Sequence, residues 1–235
     1  MYRQLDAERI VATVRTLEQR IRERFPGSGL SQVAGELVDM AQGTIAKVTE
    51  LSRPHLPIRI AVGAFALALA GLLAGAVLTI DVSLHVDSLA TLLQATESAI
   101  NDVVFAGIAI WFLVTLETRI KRGRALTAIH ELRSLAHVVD MHQLTKDPDQ
   151  ILSPGRETRS SPQRARMTRF ELARYLDYCS ELLSLTSKLA ALYVQRFQDE
   201  HVLAAVTDVQ TLTNGLSGKI WQKIVILDTT AGPAS

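Results

Sequence analysis

The chain has 235 residues, of which 48% are apolar and 21% are charged, so its composition is that of a folded protein rather than a disordered one. The 25 basic and 24 acidic residues nearly cancel, and a formal net charge of +1 gives no field that would attract nucleic acid. The single cysteine, Cys179, excludes an intramolecular disulfide and any site that needs several thiolates, such as an iron–sulfur cluster.

Residues 1–56 are predicted to form an amphipathic helical hairpin. In the first helix, apolar residues recur at steps of three and four positions, as on one helical face, at Ile10, Val14, Leu17 and Ile21. A Pro-Gly-Ser-Gly cluster after Phe25 breaks the chain. A second helix is then predicted to begin with Ser31 as its N-cap and to end before the prolines at positions 54 and 57.

The 59 residues between Arg59 and Arg119 contain no lysine or arginine. Ile60 to Ile80 carries no charge at all, and as a helix it would extend about 31 Å, which matches the hydrocarbon thickness of a bilayer. Backbone amides in lipid must pair within their own segment, so a membrane-spanning helix is predicted at about residues 58–80.

The second apolar segment, Val103 to Leu116, is short enough to be a buried helix of a soluble core instead. Basic residues follow it at once, whereas the charges between the two apolar segments are all acidic. The positive-inside rule therefore predicts a transmembrane hairpin over residues 57–119, with a second span at about 99–118, a short acidic external loop and both termini in the cytoplasm. One span plus a core helix is the alternative. No signal peptide is visible, so the expected location is a bacterial-type plasma membrane.

Beyond the second span, the helical pattern continues as a cytoplasmic stalk helix at residues 120–143. Residues 144–167 are rich in Pro, Ser and Arg and are predicted to be a linker. The linker contains four arginines, Arg156, Arg159, Arg164 and Arg166. They are expected to be solvated, and the alternative is contact with anionic lipid or with an acidic patch of a partner.

Residues 168–228 are predicted to form a C-terminal helical hairpin with a break near residue 200, followed by a frayed tail at 229–235. Its first helix has an apolar stripe that is wider than a two-stranded coiled-coil seam and includes Leu176, Leu183 and Tyr193. No strand pattern is present. The predicted fold class is all-α, an integral membrane protein with a two-helix transmembrane hairpin and a coiled-coil-like cytoplasmic bundle.

Three of the six histidines lie in one polar stretch of the stalk, formed by His130, Arg133, His137, Asp140 and His142. His130 and His137 share a helical face, but two turns, about 10.5 Å, separate them, so they cannot bind one metal ion alone. The stretch is predicted to be a polar seam where the stalk packs on its neighbours. A metal-dependent activity at His137, Asp140 and His142 is a weaker alternative, and no cofactor or metal is expected.

Two groups of residues in the predicted hairpin are candidate functional sites. Gly71 and Gly75 form a G-x-x-x-G motif, which lets helix backbones approach closely, either with Gly107 in the second span or with the same helix of another chain. Glu97 and Asp102 either mark the outer boundary of the second span or form the acidic mouth of a cation pore in an oligomer.

No phosphate-binding glycine loop, nucleophile elbow or Cys–His dyad is present, so no catalytic residue is predicted and an enzyme is not expected. The sequence predicts a membrane-anchored helical scaffold that self-associates in the bilayer and presents cytoplasmic helices to a protein partner, without nucleic acid. The alternative is an oligomeric cation channel, or a membrane-permeabilising effector, gated by its cytoplasmic helices.

Overall fold

The computed structural model describes residues 4–79, 89–148 and 167–229. Within these ranges the chain is helical and has no strand, which confirms the predicted all-α fold. The described helices are α1 (Ala7–Arg24), α2 (Gly29–Ser52), α3 (Leu56–Thr79), α4 (Leu89–Leu144), α5 (Arg169–Arg196) and α6 (Glu200–Thr229). Part of the predicted external loop, most of the predicted linker with its four arginines, and almost all of the predicted tail lie outside the described residues.

The chain divides into two compact units, Met1–Ser52 with Arg124–Ser235, and Arg53–Gly123. We refer to the first as the bundle and to the second as the apolar hairpin. Helix α4 begins in the hairpin and ends in the bundle as one uninterrupted helix.

The start of each helix in the bundle follows from local capping. Asp6 accepts hydrogen bonds from the N–H groups of the first turn of α1, and Thr168 forms a capping box with Glu171 at the start of α5. Because the Glu171 carboxylate accepts hydrogen bonds from the backbone and the side chain of Thr168, its pKa is lowered from the ordinary value.

The prediction that Ser31 is the N-cap of α2 is wrong, since the helix begins at Gly29. The Ser28 Oγ accepts a hydrogen bond from the N–H of Ser31 at 3.2 Å, so Ser28 is the capping side chain. The reason is the turn before it. Gly27 has a φ of 67°, in the left-handed region that favours glycine, and this conformation reverses the chain early enough for the helix to begin at once.

The bundle has one hydrophobic core, to which α1, α2, the last part of α4, α5 and α6 all contribute. Helix α5 contacts α1, α2 and α6, and this explains the width of its apolar stripe. Leu176, Leu183 and Tyr193 are all buried. Other helices of the same chain therefore cover the stripe, as predicted for a helix of a bundle.

Candidate functional site

The main surface feature of this molecule is the set of large hydrophobic side chains that the apolar hairpin leaves exposed. Two helical stretches, Gly29–Gly71 and Ile100–Leu144, are by length and composition apolar enough to cross a membrane, and no residue in the most apolar window of either is buried. Leu67 is 76% exposed and Phe105 is 70% exposed. Val103 and Trp111 are also more than half exposed, so the second apolar segment is not the buried core helix that the one-span alternative requires. Apolar surface of this extent marks an interaction site.

The three glycines predicted to pack membrane helices do not meet in the structure. A Cβ atom built on Gly71, Gly75 or Gly107 would have no neighbouring atom within 4 Å among the residues that the structure describes. The hairpin therefore does not place Gly107 against the G-x-x-x-G motif of α3. The close approach that this motif allows is not used within the described chain.

The candidate pore mouth lies on the exposed surface of α4. Glu97 and Asp102 are both exposed, five residues apart on this helix. Asp81 and Asp87, the other two acidic residues between the apolar segments, lie outside the described residues. A ring of carboxylates needs several copies of the chain, so the acidic mouth stays a prediction.

The polar stretch of the stalk is not the packing seam that was predicted. His130, Arg133 and His137 are exposed, and the opposite face of α4 enters the core. That buried face consists of Ala125, Ala128, Ile129, Leu132, Leu135, Ala136, Val139 and Gln143. The prediction fails because the small and aliphatic residues, rather than the histidines, give the closer helix packing in a dry core.

Asp140 and His142 are the two members of this stretch that are half-buried. Asp140 accepts a hydrogen bond from the Gln143 amide at 2.7 Å. The imidazole of His142 lies over Gly29, where a Cβ atom would overlap it. Within the described residues, no three His, Cys, Asp or Glu side chains are grouped so that they could hold a metal ion, so His137, Asp140 and His142 do not form the alternative metal site.

A cluster of ionic side chains that was not predicted from the sequence joins the two helices at one end of the hairpin. The Glu117 carboxylate accepts a hydrogen bond from Arg59 Nε at 3.1 Å and pairs with Lys121 Nζ at 2.9 Å. It also accepts the backbone N–H of His55 at 3.2 Å. We call Arg59, Glu117 and Lys121 the base cluster. The sequence does show opposite charges next to the two apolar segments. Which of these charges pair depends on the rotation of each helix about its axis, and local sequence does not determine that rotation.

Two arginines near the base cluster have no acidic partner among the described residues. Arg119 lies with its guanidinium 5.8 Å from the ring centroid of Trp111 and 5.5 Å from that of Phe112, which are cation–π contacts. Arg53 is exposed just before α3. This end of the hairpin, residues 53–59 and 117–123, carries five basic residues and one acidic residue, an excess of four positive charges.

Two polar side chains are held inside the bundle by hydrogen bonds. Lys223 Nζ donates to the main-chain oxygens of Gln143 at 2.9 Å and Lys146 at 3.2 Å, where it caps the C-terminal end of α4. Burial lowers the pKa of Lys223. The hydroxyl of Tyr193 lies 3.3 Å from Thr44 Oγ1, and burial raises the pKa of this tyrosine. These contacts fasten helices together and place no reactive group at the surface.

Cys179 is also buried in the bundle, between helices rather than at a cleft. Burial raises the pKa of its thiol to about 12. Because the thiolate is the nucleophile, this cysteine is inert in the folded protein.

A cleft of about 730 Å³ lies on the bundle surface between α1 and α5. Leu5, Ile10 and Leu185 give it apolar walls, and Glu181 and Lys188 lie at the same cleft. Burial, with Asp177 nearby, raises the pKa of Glu181. The volume is in the range of small-molecule sites, and at the wall of the cleft Lys188 Nζ donates a hydrogen bond to Ser184 Oγ at 2.6 Å.

Comparison with known protein families, with curated protein sequences and with solved structures finds no match to this chain.

Proposed function

We propose that this chain is a membrane-anchored interaction protein, with the apolar hairpin inserted in a bilayer and the bundle in the cytoplasm. One observation carries the proposal. The bundle buries a large hydrophobic core and leaves only scattered large apolar side chains such as Phe170 and Trp221 exposed, whereas no residue is buried in the most apolar windows of the hairpin helices. In water each large side chain that is fully exposed forgoes about 1.5–3 kcal/mol of burial free energy, so this surface needs an apolar environment.

The charge distribution of the hairpin supports one orientation. An excess of positive charge lies around the base cluster, and Glu97 and Asp102 lie on α4 toward its start. Basic residues beside membrane helices favour the cytoplasmic side. The base cluster and both chain ends then face the cytoplasm, in a plasma membrane of the bacterial type.

Self-association in the membrane is the second part of the proposal. The stripe on α5 is already covered within the chain, so it is not available to a second copy. A Cβ atom built on Gly71 of the G-x-x-x-G motif would meet no neighbouring atom among the described residues, and small residues at this spacing favour contact between membrane helices. The bundle then projects its charged outer surface, including His130, Arg133 and His137, toward a cytoplasmic partner.

The first test is insertion. Membranes that contain the full chain are washed with alkaline carbonate, which releases peripheral proteins. We expect the chain to stay in the pellet, because the exposed apolar surface of α3 and α4 is surrounded by lipid. Release into the supernatant would refute the proposal.

The second test is self-association, measured as the mass of the protein–detergent complex. We expect a mass above that of one chain, and a shift toward one chain in Gly71→Leu with Gly75→Leu, because leucine side chains prevent the close approach. The matched control is Gly63→Leu, on the same helix but about 100° around it from the motif. A wild-type chain that is monomeric would contradict this part of the proposal.

A further inference from the structure

We infer that the base cluster binds the phosphate of an anionic phospholipid, with Arg59 as its main ligand. The inference rests on the proposed insertion of the hairpin and goes beyond it, because insertion needs only an apolar surface and not a headgroup site.

Glu117 orients Arg59. Only the Nε atom of the guanidinium is engaged, at 3.1 Å from the carboxylate, and its Nη groups have no hydrogen-bond partner among the described residues. The side chain is 63% exposed. A guanidinium fixed through Nε presents its remaining N–H donors outward, in the planar geometry that suits two phosphate oxygens.

The carboxylate of Glu117 does not repel a phosphate strongly, because three donors already surround it. Lys121 is 10% exposed and lies 2.9 Å from one carboxylate oxygen, and the His55 N–H donates to the same oxygen. The base cluster as a whole keeps a charge of +1, and Arg53 and Arg119 add to it nearby. An anion is therefore attracted to this end of the hairpin.

A lipid headgroup suits this site better than a soluble phosphate does. The base cluster lies where α3 begins and where the apolar stretch of α4 ends, which is the level of the headgroups when the two helices span a bilayer. The contact of Arg119 with Trp111 and Phe112 fits the same level, since aromatic and cationic side chains gather at the membrane interface. The excess positive charge favours an anionic headgroup over a choline headgroup, whose own cation it repels.

The experiment measures lipid selectivity of the reconstituted full chain. Spin-labelled phosphatidylglycerol and spin-labelled phosphatidylcholine are added in turn to phosphatidylcholine vesicles that contain the protein. The motionally restricted fraction of each label gives its relative association with the protein surface. We expect phosphatidylglycerol to be preferred, and Arg59→Ala to lower this preference by about fivefold, the effect of one basic residue at an anionic surface.

Two further variants separate the headgroup site from general charge. Arg59→Lys keeps the charge and a partner for Glu117 but loses the planar fork, so we expect an intermediate preference. Arg133→Ala removes an exposed basic residue of the bundle and should leave the preference unchanged. An unchanged preference in Arg59→Ala, or an equal loss in Arg133→Ala, would overturn the inference.

Two outcomes identify the source of a failure. If neither label shows a restricted fraction, the chain is not inserted and the proposed function itself fails. If both labels are restricted equally, insertion stands and only the headgroup site is overturned. Added inorganic phosphate is the last arm, and loss of the preference on its addition, at an ionic strength held constant with chloride, would reassign the site to soluble phosphate.

Discussion

Leu189→Ala tests whether the apolar stripe of α5 is satisfied within one chain. Leu189 is fully buried in the bundle core. Truncation of a fully buried leucine to alanine removes its burial free energy and leaves a cavity, at a cost of about 3 kcal/mol. The equilibrium constant for opening of the bundle should then rise about 150-fold.

The buried thiol of Cys179 is the natural probe for this opening. It lies ten residues before Leu189 on α5, and it has no exposed surface. Because burial raises its pKa to about 12, the thiol reacts with an alkylating reagent only after the bundle opens. The alkylation rate of the full chain in detergent therefore follows the population of the open form. In Leu189→Ala this rate should rise in proportion to the equilibrium constant for opening.

The matched control is Leu203→Ala, at a position that is 53% exposed on α6. We expect its effect to stay within about 0.5 kcal/mol, less than a threefold change in rate. An alkylation rate in Leu189→Ala equal to that of the wild type would refute the packing of the stripe. A wild-type rate that falls as protein concentration rises would show instead that the stripe is completed between chains.

Three other outcomes are expected from the structure. Burial raises the pKa of the Cys179 thiol from 9.0 to about 12, so the folded bundle disfavours the thiolate. The free energy of unfolding should therefore be unaffected by this thiol below pH 9 and should fall as the pH rises from about 9 to 12. Chemical denaturation should show a smaller fall over this pH range in Cys179→Ala. Ser28→Ala removes the N-cap of α2 and should cost about 1 kcal/mol by the same thiol assay, more than Ser31→Ala does. Asp102→Ala should leave the conductance of planar bilayers unchanged for an interaction protein, and a change in current or cation selectivity would favour the channel alternative.

The sequence alone determined that the chain is helical and which helices are amphipathic, but α4 begins at Leu89, ten residues before the predicted second span. The recurrence of Ile10, Val14, Leu17 and Ile21 predicted the buried face of α1, and the stripe through Leu176, Leu183 and Tyr193 predicted that of α5. Both predictions are confirmed because the 3.6-residue repeat of a helix is set by the local backbone. Apolar side chains that recur at this repeat lie on one face, and the hydrophobic effect buries that face in a core. The two apolar segments and the breaks after α1, α2 and α5 were predicted on the same local grounds.

Only the tertiary structure decided which helix faces meet. His130, Arg133 and His137 look like a polar seam by spacing, yet α4 is rotated so that its alanines and aliphatic residues enter the core. The pairing of Glu117 with Arg59, 58 positions away, was equally out of reach of local patterns. A rotation of about 100° for each residue makes the partner of a side chain depend on the packing of the whole helix, and this packing is fixed by the other helices rather than by the local sequence.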